Sequence, residues 1–123
     1  MGTGTTLGES FARALGEKDF ERIIQLLHPE IDFCGLTPGR SWTAHGPEQV
    51  VGDVLTRWFE PSDEIERVQR VQSDAFADRG RVGYRFAGRN GDGPFVVEQQ
   101  AYYAERDGRI GWMRIVCSGF RPA

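Results

Sequence analysis

Cysteine, histidine and long apolar runs are scarce in this chain. It has 2 cysteines and 2 histidines among 123 residues, and Cys34 and Cys117 lie in apolar strand patterns without a neighbouring histidine. A metal-binding or redox motif is therefore missing, and we expect neither a metal nor a cofactor. Both cysteines are interpreted as reduced, buried small side chains, with a disulfide or a reactive thiol as the alternative.

An excess of positive charge is missing as well. The formal net charge is -3 and the isoelectric point is about 5.4, so no overall positive field attracts a phosphate backbone. No apolar run approaches the ~18 residues of a membrane span, and the first residues lack the basic and apolar regions of a signal peptide. We expect a cytoplasmic protein that binds neither nucleic acid nor membrane.

The first half of the chain carries helical periodicity. Thr6 and Glu9 form a capping box in front of a first apolar stripe, and Asp19 is placed to cap a second helix. A short alternating strand follows around Phe33. Pro47 then stands at the first position of a third helix.

The second half alternates as strands do, and the turn signals DRG, NGDG and RDG separate four of them. The order is helix, helix, strand, helix and four strands. This order predicts an α+β fold, with three N-terminal helices packed on a strongly curved antiparallel sheet. We expect a single domain over residues 1–123, with the four strands at about residues 65–77, 81–89, 95–105 and 110–119.

The predicted strand VVEQQAYY has polar residues at its centre. Glu98, Gln100 and Tyr102 share one face with Arg85 of the preceding strand, because the even-length NGDG turn keeps opposed residues on the same side. We interpret this face as the concave side, lining a pocket under the helices. The other face is an apolar patch that a homodimer would bury through the convex side of the sheet: Val82, Tyr84, Phe86, Val97 and Ala101.

Glu98 is the candidate catalytic residue of this pocket. Burial of a carboxyl group against apolar walls suits it to general acid or base catalysis, whereas a neighbouring guanidinium such as that of Arg85 holds it as a structural ion pair. Both roles remain open. Gln100 and Tyr102 would orient a ligand carbonyl or hydroxyl, and the apolar wall would be formed by Phe11, Phe33, Trp42, Trp58, Met113, Ile115 and Cys117.

Three segments, EKDFERIIQLLHPEIDF, HGPEQV and AERDGRIGWM, give the chain a resemblance to the nuclear transport factor 2-like superfamily, in its SnoaL-like and ketosteroid-isomerase-like branch. The resemblance implies a cystatin-like cone in the order α-α-β-α-β-β-β-β, an apolar pocket at the open end, and a dimer through the sheet. The isomerase tyrosine falls on Phe11, and its two aspartates fall on Gly35 and Gln100. That proton-transfer machinery is therefore replaced in this chain.

Two other mechanisms of the superfamily also lack their residues. The dehydratases depend on a histidine in the pocket, whereas His28 and His45 are predicted at helix ends, outside the sheet, with a position of His45 at the pocket mouth as the alternative. The Arg-x-Asp strand signature of limonene epoxide hydrolase is missing too.

These observations predict a cofactor-free pocket protein for a small apolar carbonyl compound or a polycyclic metabolite. As an enzyme it would be an acid/base isomerase, cyclase or dehydratase, with Glu98 as base or acid and Gln100 and Tyr102 as donors to a developing oxyanion. The alternative is a non-catalytic ligand-binding or dimerisation module of the same fold, in which Glu98 and Arg85 form a satisfied ion pair.

Overall fold

A computed structural model describes residues 5–123 of the chain. Helix α3 spans residues 47–58, and its central segment, Val50–Leu55, is π-helical. None of the described helices is long and apolar enough to cross a membrane. The remaining elements are α1 (Leu7–Gly16), α2 (Phe20–Leu26), β1 (Leu27–Thr37), β2 (Arg40–His45), β3 (Glu64–Phe76), β4 (Arg79–Asn90), β5 (Gly93–Arg106), β6 (Arg109–Cys117) and β7 (Arg121–Pro122).

The helices begin where side chains cap free backbone N–H groups. Thr6 Oγ1 accepts a hydrogen bond from Glu9 N at 3.1 Å, and Glu9 Oε1 accepts one from Thr6 N at 3.0 Å, which completes the predicted capping box. Asp19 Oδ1 accepts from Arg22 N at 3.2 Å at the start of α2. Pro47 occupies the first turn of α3, where a backbone N–H has no partner to lose. The three predicted helices are confirmed.

The described strands form one sheet in the order β2-β1-β6-β5-β4-β3, with β7 paired to β5. β1 runs parallel to β6 and the other pairs are antiparallel, so the sheet is mixed rather than purely antiparallel. β2 is a further correction. Turn-forming residues predict a loop over residues 35–44, yet Pro38 and Gly39 make only a tight turn, and the residues after them pair with β1.

Two irregularities in β3 bend the sheet into a cone. Its register with β4 shifts between Ile65 and Arg67 and again between Val68 and Arg70. An extra residue in one strand increases its twist and bends it. The bent strands β3, β4 and β5 wrap around α1, which contacts all three. The predicted α+β class with a curved sheet is thereby confirmed.

The face of β4 and β5 that lies under the helices is the apolar one. All five residues predicted to form a convex dimer surface are buried in the core instead, so that assignment is wrong. The helices carry apolar stripes of their own, and these can leave water only against an apolar sheet surface. The buried five are Val82, Tyr84, Phe86, Val97 and Ala101, and they share the core with Phe11 and Leu15 of α1.

Gly88 of β4 lies beside the first irregularity of β3. A β-carbon at this position would lie 1.9 Å from the backbone oxygen of Glu64, a clash that only a backbone shift can relieve. We expect Gly88→Ala to lower the free energy of unfolding by about 1–3 kcal/mol. Gly52 of α3 is the matched control: a β-carbon there meets nothing within 4 Å, so Gly52→Ala should leave stability unchanged or raise it by up to about 1 kcal/mol. Equal urea midpoints for the two variants would contradict the packing described.

Candidate functional site

A hydrogen-bonded pair of polar side chains lies within the apolar inner face of the sheet. Tyr84 of β4 and Gln99 of β5 are opposite each other in register, and Tyr84 Oη donates to Gln99 Oε1 at 2.6 Å. Gln99 is only 2% exposed, and Val97 and Ala101 on either side of it along the same face are buried. The described part of the inner face therefore holds this polar pair in apolar surroundings.

The Tyr84 phenol stays protonated in this environment. Burial raises the pKa of Tyr84 well above its ordinary value, and the nearby Cys117 thiol raises it further. Cys117 is the register partner of Gln99 on β6. Because the phenol keeps its proton, it remains a donor, and the Gln99 amide is held with its oxygen towards Tyr84 and its nitrogen free to donate elsewhere.

Two buried N–H donors on this side of the molecule have no hydrogen-bond partner among residues 5–123. They are Gln99 Nε2 and Trp58 Nε1, and Trp58 is 7% exposed. Leaving a buried donor without an acceptor costs about 1–3 kcal/mol. Native proteins rarely tolerate that cost without a function or an acceptor that comes from outside the chain. These two N–H groups mark the candidate site.

Trp58 also fills the space beside Gly35 of β1. A β-carbon on Gly35 would lie 2.5 Å from Trp58 Cη2. The centroid of the Trp58 ring lies 6.0 Å from that of Phe33 and 6.1 Å from that of Trp42. Trp42 Nε1 donates to Thr37 Oγ1 at 2.9 Å, so its own donor is satisfied. Three rings thus form an aromatic wall over β1.

Gln99 and Trp58 lie near neighbouring positions of the inner face. The Trp58 ring covers Gly35, which pairs with Ile115 of β6. Cys117, two residues further along β6, pairs with Gln99. Two strand spacings, roughly 10 Å, separate β1 from β5. The strand under Trp58 and the strand that carries Gln99 are therefore separated by one intervening strand, β6.

The residues predicted for the apolar wall all lie on the inner side of the cone. Six of them are buried and one is half-buried against the core, so their orientation agrees with the prediction. Their contact with a ligand remains a prediction. The buried six are Phe11, Phe33, Trp58, Met113, Ile115 and Cys117, and the half-buried one is Trp42.

The polar residues predicted for the pocket lie on the outer face, so their placement in the pocket is wrong. Glu98 pairs with Arg85 as expected, with Oε1 to Nη2 at 2.8 Å, but its side chain is 54% exposed. Gln100 Nε2 donates to Tyr102 Oη at 3.2 Å on the same surface. The catalytic role considered for Glu98 requires a half-buried carboxylate beside a pocket. That premise fails because the helices bury the other face.

The amide that faces inward is Gln99, one residue before the predicted Gln100. The register between β5 and β6 shifts between Ala104 and Glu105, so counting alternate residues back from the β5–β6 turn assigns them to the wrong face. A shift of one residue exchanges the two faces of a strand. The sequence signal for Gln99 is a polar residue at the centre of an otherwise apolar alternation, which the richer polar set next to it obscured.

Groups that exchange protons near neutral pH are scarce inside the fold. Asp63 is the buried carboxylate of the described residues, and it accepts hydrogen bonds from Glu60 N at 3.0 Å and Asn90 Nδ2 at 2.9 Å. His28 belongs to β1 and His45 to β2, so both lie in the sheet rather than at helix ends. Among residues 5–123, no three His, Cys, Asp or Glu side chains are close enough to hold a metal ion.

Known proteins resemble this chain in structure. Neither a family model nor a curated protein matches its sequence. An isomerase candidate from Rhodopseudomonas palustris superposes with a TM-score of 0.70 at 19% identity, over 97% of this chain and 93% of that one. A polyketide cyclase candidate from Xanthomonas campestris gives 0.68 at 17% identity, over 89% and 86%.

A second X. campestris protein, with a cystatin-like fold, gives a TM-score of 0.65 at 20% identity, over 90% of this chain and 87% of that one. The chain has the cystatin-like α+β cone found in the nuclear transport factor 2-like superfamily, and the resemblance is confirmed at the level of the fold. These identities carry no specific activity to this chain.

Burial of the Tyr84 phenol should appear in the pH dependence of stability. Above about pH 10 a tyrosine ionises in the unfolded chain, whereas the raised pKa keeps Tyr84 protonated in the folded one. Unfolding then releases a proton, so the free energy of unfolding falls as pH rises. By about pH 11 the wild type should lose about 1.4 kcal/mol that Tyr84→Phe does not lose. Urea unfolding of the wild type and of Tyr84→Phe, from about pH 8 to about pH 11, measures this difference.

Tyr84→Phe also removes the hydrogen bond to Gln99, and a double variant distinguishes this loss from the effect of ionisation of the phenol. Tyr84→Phe with Gln99→Leu removes both partners, so its stability at neutral pH should exceed that of Tyr84→Phe alone, which leaves the Gln99 oxygen buried without a donor. Its pH dependence should match that of the single variant. Parallel profiles for the wild type and Tyr84→Phe would show that the phenol is not shielded from ionisation.

Proposed function

We propose that this chain binds a small, neutral, largely apolar molecule with an acceptor oxygen, such as a carbonyl group, inside the cone. The main support is the pair of buried donors, Gln99 Nε2 and Trp58 Nε1, which have no acceptor among residues 5–123. Apolar walls would hold the body of the ligand, and the two N–H groups would set its orientation. A ligand that brings an acceptor removes the cost of leaving these donors unmet.

The charges around the site favour a neutral ligand. Asp63 and Gln99 are the buried polar or charged side chains of the described residues, so no buried cation is available to an anionic ligand. The raised pKa of Tyr84 has the same origin, since burial in this face disfavours negative charge. A carboxylate would lose its hydration here without gaining an ion pair.

Binding fits the inner face better than proton transfer does. Glu98 lies outside the cone, and Asp63 is engaged by Glu60 N and Asn90 Nδ2. The described inner face therefore offers no carboxylate or imidazole poised to exchange a proton with a ligand near neutral pH. This favours the ligand-binding alternative over the acid/base enzyme, although the fold is shared with isomerase and cyclase candidates.

Entry of the ligand would involve Trp58. Its ring packs on Gly35 and closes the aromatic wall, and it ends the short turn Thr56–Trp58 that follows the π-helical segment Val50–Leu55. Such π-helical turns are rare and are frequent at functional sites. Displacement of the ring from Gly35 would open the inner face while the indole N–H stays available to the incoming acceptor.

Three matched compounds test the proposal: acetylnaphthalene, isopropylnaphthalene and naphthoate. They share a fused-ring body and differ in carrying a neutral acceptor, no acceptor or a negative charge. The ketone should bind at least about fivefold more tightly than the hydrocarbon, because one net hydrogen bond contributes about 1 kcal/mol, and naphthoate should bind most weakly. In NMR titrations, the Trp58 indole N–H and the Gln99 side-chain amide should shift with the ketone.

Neighbouring residues supply the controls. Gln99→Leu should weaken the ketone by about fivefold and leave the hydrocarbon unchanged, whereas Gln100→Leu, on the outer face, should change neither. The Trp112 indole, stacked between Arg79 and Arg114, should not shift. If Gln99→Leu does not fold, Tyr84→Phe with Gln99→Leu takes its place. Equal affinities for ketone and hydrocarbon, or no ketone binding at millimolar concentration, would overturn the proposal.

A further inference from the structure

Three functional groups lie in one row across the inner face of β4, β5 and β6. Tyr84 is the register partner of Gln99, and Gln99 is the register partner of Cys117. Residues paired in this way on neighbouring antiparallel strands have their β-carbons about 5 Å apart. Burial raises the pKa of the Tyr84 phenol, and the nearby Cys117 thiol raises it further. A phenol, an amide and a thiol therefore share one part of the inner face.

The two cysteines lie on opposite faces of the sheet. Cys34 stands between the buried residues Phe33 and Gly35 of β1 and is half-buried on the outer face, whereas Cys117 belongs to the core. The sheet between them rules out a disulfide within one chain, and both thiols are free. Cys34 is thus a natural control for any reaction of Cys117.

The Cys117 sulfur is accessible at the end of β6 and has a hydrogen-bond donor directed at it. A cleft of about 420 Å³ includes Gln99 and Cys117 in its lining, and Cys117 is 9% exposed. Gly119 N donates a hydrogen bond to Cys117 Sγ at 3.4 Å. A backbone N–H in this position stabilises negative charge on the sulfur, and the thiolate is the nucleophilic form of cysteine.

The side-chain amide of Gln99 supplies a second group beside the thiol. Gln99 Nε2 is buried and has no partner among residues 5–123. Tyr84 Oη donates to the oxygen of the same amide at 2.6 Å, which polarises the amide and strengthens its N–H as a donor. Because Gln99 and Cys117 are register neighbours, a carbonyl compound whose oxygen accepts from Gln99 Nε2 has its adjoining carbon atoms near the sulfur.

We propose that Cys117 adds covalently to an α,β-unsaturated carbonyl compound whose oxygen is held by Gln99 Nε2. The inference rests on the proposed function, because it concerns the electrophilic members of the same ligand class. The Cys117 thiolate forms a carbon–sulfur bond to the β-carbon, and the electron pair of the double bond moves to give an enolate, whose oxygen accepts from Gln99 Nε2. The thiol proton passes to water and the α-carbon takes a proton from water. The net step adds S–H across the double bond, without an oxidant or a reductant.

Recognition, rather than exposure, sets the rate of this addition. An electrophile with an apolar body is held by the apolar wall, and its carbonyl oxygen is held by Gln99 Nε2. Binding of this kind keeps the β-carbon near Cys117 Sγ, and addition is fast when reacting atoms are held about 3–3.5 Å apart. A small hydrophilic electrophile gains nothing from the apolar wall and should prefer the more exposed thiol, which is that of Cys34.

Two electrophiles test the inference by mass spectrometry of the intact protein and of its peptides. Acryloylnaphthalene combines a fused-ring body with a vinyl ketone, whereas iodoacetamide has no apolar body. Acryloylnaphthalene should react at Cys117 at least about tenfold faster than at Cys34, because the bound ligand is already positioned. Iodoacetamide should react in the opposite order.

Substitutions of single residues identify the groups that carry the reaction. Cys34→Ser should leave the addition of acryloylnaphthalene at Cys117 unchanged, and Cys117→Ser should abolish it; Cys117→Ala takes its place if the serine variant does not fold. Gln99→Leu should lower the limiting rate at saturating acryloylnaphthalene at least about tenfold, because the enolate oxygen loses its donor. The rate at saturation separates this effect from weaker binding. Iodoacetamide should react with Cys34 of the Gln99→Leu variant as it does in the wild type.

Propionylnaphthalene, with the same body and a saturated ketone, separates binding from addition. It should slow the addition of acryloylnaphthalene at Cys117 and leave the reaction of iodoacetamide at Cys34 unchanged. If propionylnaphthalene binds, but acryloylnaphthalene reacts first at Cys34 or with neither thiol, the inference is overturned and the proposed binding function stands. If neither ketone binds, the proposed function fails together with the inference.

Discussion

The helices can leave water only against an apolar sheet surface, and this constraint orients β4 and β5. Val82, Phe86 and Val97 meet α1 and the rest of the core, so the alternate residues of the same strands must point outward. Arg85 and Glu98 go with that outer set and form their ion pair in water. This choice of face decides which side chains of β4 and β5 a ligand inside the cone can meet and which are exposed to water.

The described part of the buried face contains the polar pair Tyr84 and Gln99, and burial determines the protonation of the phenol. Gln99 is tolerated because Tyr84 satisfies its oxygen, and Tyr84 stays protonated because the same burial raises its pKa. The remaining side-chain N–H of Gln99 and that of Trp58 are then the buried side-chain donors without a partner among residues 5–123. Position 35 adds a further condition, since the Trp58 ring takes the volume that any side chain at this position would need. This arrangement supports the proposed binding of a neutral ligand with an acceptor oxygen.

The two faces of strand β5 differ in chemistry. Gln99 faces the proposed ligand site, and its neighbours Glu98 and Gln100 are exposed on the outer face. Proteins of similar structure carry isomerase and cyclase designations, yet the same cone can host different activities, because the activity depends on which side chains occupy the inner face. Among the described residues, that face carries the amide of Gln99 and the phenol of Tyr84, and the indole of Trp58 packs over Gly35 on β1.

The local structure could be predicted from the sequence. The Thr6–Glu9 capping box, the Asp19 cap, the hairpin turns and the partnership of Arg85 with Glu98 all depend on residues close in the chain or on the period of two along a strand. The inner position of the wall residues followed from the same alternation. The sequence alone thus determined the α+β class, the helices, the meander and which side chains share a face.

The tertiary structure alone decided which face is covered, because burial depends on helices and strands that come from distant parts of the chain. It also decided the strand at residues 40–45, the parallel pairing of β1 with β6 and the packing of Trp58 on Gly35, since each requires contacts between segments whose separation no local pattern encodes. Alternation sorts side chains into two sets, and only the packed molecule distinguishes inside from outside.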